Sequence, residues 1–97
     1  MTNSLTTDVM EADVAAFQKI LDTIEEAMTV SNTLKMQYKD ASGNVSSREV
    51  EPMEIKSDGS LMAWCQKRDN VRRFKFANII SIKKTETSFT PREFDND

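Results

Sequence analysis

Val71-Arg72-Arg73-Phe74-Lys75-Phe76-Ala77-Asn78-Ile79-Ile80-Ser81-Ile82-Lys83-Lys84 is the stretch on which the reading of this chain turns. Its first half alternates. In an extended backbone Arg72, Phe74 and Phe76 share one face while Arg73 and Lys75 share the other. That pattern predicts a strand over Val71–Ala77 with buried phenylalanines, and a further short strand from Ile79 to about Thr85. Arg72 disturbs the scheme, because it places a guanidinium on the face meant for the interior. An unpaired buried guanidinium is very costly, so Arg72 must sit at a rim or find a partner.

Upstream the period of two persists. Leu34, Met36 and Tyr38 alternate with Lys35, Gln37 and Lys39, Asp40–Asn44 reads as a turn, and Val45–Lys56 continues extended. Pro52 has no N–H to give a ladder, so this second strand bends, breaks or lies at an edge there. Ser57-Asp58-Gly59 is a tight turn, Ser60–Arg68 a third strand and Asp69-Asn70 a turn. Apolar residues on both faces of Leu61–Cys65 imply a strand covered on both sides, by the interior and by a helix, with Trp64 read as a core residue. Before all of these, Met10, Val14, Phe17, Leu21, Ile24 and Met28 repeat at steps of three and four, an apolar helical stripe over Asp8 to about Thr29 with Asp8 and Glu11 as a capping box.

The predicted fold class is therefore mainly β with one N-terminal helix: a small five-stranded antiparallel barrel capped by that helix. One domain spans 8–89 (helix about 8–29, barrel about 33–85), with a flexible N-terminus at 1–7 and an acidic tail at 90–97. The expected core is Leu61, Ala63, Phe74, Phe76, Ile79 and Ile82, closed by Phe17, Leu21 and Ile24 of the helix.

Charge is unevenly distributed. The net charge of −3 resolves into −5 over residues 1–33, +5 over 34–84 and −3 over 85–97. A basic middle fits an anionic partner, or else neutralisation by the acidic ends within the fold. At 38% hydrophobic the chain can build a core, and no apolar run approaches membrane-spanning length. The N-terminus lacks the basic start and apolar stretch of a signal peptide, and a lone Cys65 fits a reducing compartment, so the expected location is cytoplasmic.

Catalytic chemistry finds no support. Without histidine and with one cysteine, the usual zinc ligand sets cannot be assembled, and Cys65 has no base to activate it. Gly43 and Gly59 both sit in turns, which leaves no glycine-rich phosphate loop. Glu49, Glu51 and Glu54 read as a solvated strand face or as salt-bridge partners for nearby arginines. The chain is read as a non-enzyme with no cofactor.

The arginines carry the functional reading. Arg48 shares its face with Val50 just as Arg72 does with Phe74. Either each is paired with a carboxylate such as Glu51 or Asp69, or the two converge at one barrel mouth as a forked donor site for phosphate or another anion.

Taken together, Tyr38 before a Gly-containing turn, Arg48-x-Val50-x-Pro52, Asp58-Gly59, Trp64-Cys65, Arg72-x-Phe74, Ile79 and Phe89 resemble a WYL domain over Leu34–Phe89. The resemblance implies an Sm-like barrel serving as a regulatory ligand-sensing module, with Arg48 and Arg72 at an anion-binding face. It also implies nucleotides or single-stranded nucleic acid as the ligand class. Gly59-Ser60-Leu61 stands where the family has Trp-Tyr-Leu, and Ala77-Asn78-Ile79 stands where it has Asp-Arg-Ile, so Ser60 and Asn78 occupy two family site positions. Arg68, Arg73 and Lys75 would add diffuse attraction, with Trp64 or Tyr38 as a stacking plane. The alternative function is a protein-interaction or self-associating module, a homodimer, acting through the helix stripe or an edge strand. Residues 1–33 form only one helix, too little for a helix-turn-helix reader.

Overall fold

The structure, a computed structural model, describes the backbone of residues 4–92 and the side chains from Val14 onward. Helix α1 (Ser4–Val30) is followed by β1 (Asn32–Lys39), β2 (Val45–Lys56), β3 (Ser60–Cys65), β4 (Asn70–Lys75), a 3-10 turn (Phe76–Asn78) and β5 (Ile79–Ser88). The fold class agrees with the sequence reading, one helix and five antiparallel strands. The helix starts at Ser4, which puts Asp8 inside it. The side chains of the expected Asp8/Glu11 capping box and of Met10, and residues 93–97 of the expected acidic tail, lie outside what is described.

The strands form one sheet in the order β4-β3-β2-β1-β5. β4 and β5 are its two edges and do not pair, so the sheet is an open, curled one rather than the closed barrel expected. The 3-10 turn accounts for the curl. Four spacings of about 4.8 Å would hold the edges of a flat sheet about 19 Å apart. The four residue steps from Lys75 to Ile79 reach at most about 14 Å. The edges are drawn together at that end, and the Tyr38 hydroxyl of β1 accepts a 3.0 Å bond from the Lys75 N–H of β4.

Pro52 is accommodated by a bulge. The β2–β3 register slips between Pro52 and Glu54, so the strand bends there while staying central, between β1 and β3. The inner face carries Leu34, Met36, Val50, Leu61, Ala63, Cys65 and Phe74, all buried, with Phe76 and Ile79 at the corner. Ile82 is only half-buried against them.

Helix α1 covers this face with its C-terminal half, where Ile24 and Ala27 are completely buried and Ile20, Leu21 and Met28 pack around them. Phe17 departs from its expected place in the core: it is 44% exposed, although its ring lies 5.0 Å from that of Phe76. It also roofs Gly59, whose positive φ of 83° makes the β2–β3 turn and where an added Cβ would touch the Phe17 ring at 3.8 Å. Val14, one turn earlier on the stripe, is 65% exposed, so the helix projects beyond the sheet. No helix among the described residues is long and apolar enough to cross a membrane.

Candidate ligand site

Antiparallel connectivity sends β2 and β4 into the sheet from the same end. Arg48 is the fourth residue of β2 and Arg72 the third of β4, so both lie near the end that carries the β1–β2 and β3–β4 turns. Between them runs β3, whose last residue is Cys65. Register puts both arginines on the inner face: Arg48 opposite Met36, Arg72 opposite Ala63.

Their surroundings differ. Arg48 is only 9% exposed, its Nε donating to Ser46 Oγ at 3.1 Å and its Nη1 to Cys65 Sγ at 3.6 Å. Arg72 is exposed, on the edge strand β4. Among the described residues neither arginine forms an ion pair. The carboxylate partners considered from sequence are engaged elsewhere or not engaged: Glu51 pairs with Arg92, and Asp69, at φ 54°, shapes the β3–β4 turn. The neutral partners of Arg48 were not identified from sequence: Cys65 meets it only through the pairing of β2 with β3, whereas Ser46, two residues earlier on the same strand face, is a neighbour that alternation alone supplies.

The remaining candidates are spread over the sheet. Arg68 is exposed in the β3–β4 turn, at the arginine end. Lys75 is exposed at the far end of β4, and half-buried Asn78 sits in the 3-10 turn that returns the chain to Tyr38, the register partner of Ile79. Ser60 lies at the β2–β3 turn, buried, its hydroxyl donating to Asp58 Oδ1 at 2.6 Å. That bond, and next the positive charge of Arg73 at 3.5 Å, hold the exposed Asp58 carboxyl below its usual range. Ser60 and Arg73 thus belong to one small cluster at the opposite end of the strands from Arg48.

A groove of about 520 Å³ crosses β2, β1 and β5. Lys35, Gln37, Ser47, Glu49, Ser81 and Lys83 line it, in alternation with Met36, Arg48 and Ile82. Strand alternation points the first six outward, so the groove and the Arg48 head lie on opposite sides of the sheet.

Trp64 is also an outer-face residue rather than part of the core, and it is covered by Arg92 instead of the helix. The Arg92 Cζ stands 4.0 Å from the ring centroid.

A family model, WYL domain, matches residues 19–84. The chain belongs to the WYL domain family. WYL domains are generally regulatory ligand-binding modules. No curated protein matches. Among solved structures this WYL domain is similar to proteasome accessory factor B/C (PafBC) of Arthrobacter aurescens, with a TM-score of 0.69 at 18% identity. The likeness covers 80% of this chain and 14% of that one, so it concerns the fold of a single module within a much longer protein.

Proposed function

We propose that this WYL domain is a non-enzymatic regulatory module that binds an anionic ligand, a nucleotide or single-stranded nucleic acid, at the sheet end where Arg48 and Arg72 enter. The observation that carries the reading is Arg48: a guanidinium nine-tenths buried beside a hydroxyl and a thiol, with no carboxylate in ion-pair reach among the described residues. A buried cation without a counter-charge is costly, and a phosphate oxygen is the group that would offset the cost. Exposed Arg72 and Arg68 supply charge around the same end. The lysines of the outer groove are solvated point charges and lack this enforced desolvation.

The test is a fluorescence-polarisation titration of short single-stranded DNA, RNA and duplex against the protein across salt concentrations. Arg48→Ala and Arg72→Ala are expected to weaken binding by about 1–3 kcal/mol each, and Arg73→Ala by much less. Equal losses for all three would reduce the site to a diffuse basic surface.

A second reading, self-association, has its own support. Val14 and Phe17 of the helix stripe are exposed, and β4 and β5 are the edges of the sheet. Light scattering at high micromolar concentration distinguishes it, because a monomer mass there removes it.

A further inference from the structure

The sheet's outer side carries a second site, independent of the anion reading. Glu51 and Trp64 are direct register partners on β2 and β3, two strands paired on both of their edges. Glu51 is a carboxylate only 6% exposed. Against it lies Arg92, with Nε 2.9 Å from Oε1 and Nη2 3.4 Å from Oε2, while the guanidinium carbon stacks on the indole of Trp64. A carboxylate meeting the fork edge-on and an aromatic plane meeting its flat face make up a complete receptor for a guanidinium. Lysine, a point charge without a flat face, satisfies only half of it.

The receptor is rigid but its occupant is lightly held. After β5 ends at Ser88, the one main-chain bond among the described residues that ties the returning segment down is from the Phe89 N–H to the Ser31 carbonyl, at 2.9 Å. Phe89 and Pro91 then line a small cavity together with Met28, Pro52 and Met53. The Arg92 side chain itself is 45% exposed, so the site is approachable from solvent along the side chain that fills it.

We propose that Glu51 and Trp64 form a recognition site for an arginine side chain of a partner polypeptide, and that Arg92 of the same chain occupies it as a displaceable internal competitor. The buried carboxylate dictates exchange rather than vacancy. Withdrawing Arg92 alone strands the Glu51 charge, so the segment leaves as an incoming guanidinium replaces it. The tether gives Arg92 a local concentration in the millimolar range, which a partner overcomes by adding contacts to the surface that Phe89 and Pro91 vacate.

Trp64 is the single tryptophan of the chain, so its emission reads the site directly. The experiment titrates full-length wild type and Arg92→Ala with L-argininamide and, in parallel, L-lysinamide. Arg92→Ala is expected to show a saturable change in emission with argininamide, at a concentration about tenfold or more below any response of the wild type. Lysinamide is expected to be at least about tenfold weaker. Adding Glu51→Gln to Arg92→Ala should abolish the saturable response. The proposal is overturned if Arg92→Ala responds equally to the two amides, or if Glu51→Gln makes no difference. Should Arg92→Ala fail to fold by far-UV circular dichroism, Arg92→Lys retains the charge without the fork. It is then expected to bind argininamide more readily than wild type, and an unchanged midpoint overturns the proposal.

Discussion

Tyr38 and Phe74 meet edge to face, with ring centroids 5.1 Å apart and planes at 89°, although β2 and β3 separate their strands within the sheet. Such a contact exists only because the sheet is curled. The Tyr38 ring caps the buried Phe74 from across the interior, while its hydroxyl holds the backbone of Lys75. Curvature, core packing and the position of the β4 edge thus depend on one pair.

Phe74→Ala is accordingly expected to cost about 3–5 kcal/mol, a large share of the ~5–15 kcal/mol a domain has. Tyr38→Phe, which keeps the ring contact and loses the bond to Lys75, should cost about 0.5–1.5 kcal/mol. Urea denaturation of the two variants checks the ranking. Equal costs would mean that the hydroxyl and not the ring closes the curl.

The helix gives a second comparison. Ile24 is fully buried and Phe17 is nearly half exposed, so Ile24→Ala is expected to cost about 2–5 kcal/mol and the larger truncation Phe17→Ala less. Thermal melts in which Phe17→Ala is the more damaging would place Phe17 in the core after all.

Arg48 separates stability from binding. Replacing a whole buried ion pair or triad with apolar side chains of similar volume is often neutral or stabilising by about 1–4 kcal/mol, and a buried guanidinium without a counter-charge has still less Coulombic attraction to lose. Arg48→Met should therefore melt at or above the wild-type temperature in ligand-free buffer while losing affinity for anions. A clear drop in melting temperature without loss of binding would make Arg48 a structural residue.

Asp58 makes a pH-dependent contribution of predictable sign. Its folded carboxyl sits below the ordinary value, chiefly because the Ser60 hydroxyl stabilises the charged form. A depressed folded value contributes stability that is present above the unfolded carboxylate value and is lost as pH falls through the folded one. Carboxyl-carbon NMR titration should show the Asp58 midpoint rising in Ser60→Ala. An unmoved midpoint would assign the depression to Arg73.

Strand existence and phase were legible from sequence because alternation is a local property: Leu34, Met36, Val50, Leu61 and Phe74 face inward as their positions require. What alternation could not supply is what lies over each face. Arg72 has interior parity yet is exposed, since parity fixes a direction and not a neighbour, and β4 turned out to be an edge. The helix stripe names the residues that share a face, but not where the sheet beneath them stops, hence the misplacement of Phe17. Trp64 read as core because an apolar side chain invites apolar cover, whereas its cover comes from Arg92, the one basic residue after Lys84. Contacts across such sequence distances leave no periodic trace.

The 3-10 turn acts as a drawstring. Each residue inserted between Lys75 and Ile79 would lengthen the tie between the sheet's edges by up to about 3.5 Å, most of one strand spacing. The aperture at that end is thus metered by loop length, independently of the residues that line it. A sheet with these same strands and one more residue in the loop would stand wider at that end, so long as Phe76, in the same turn, kept its place in the core.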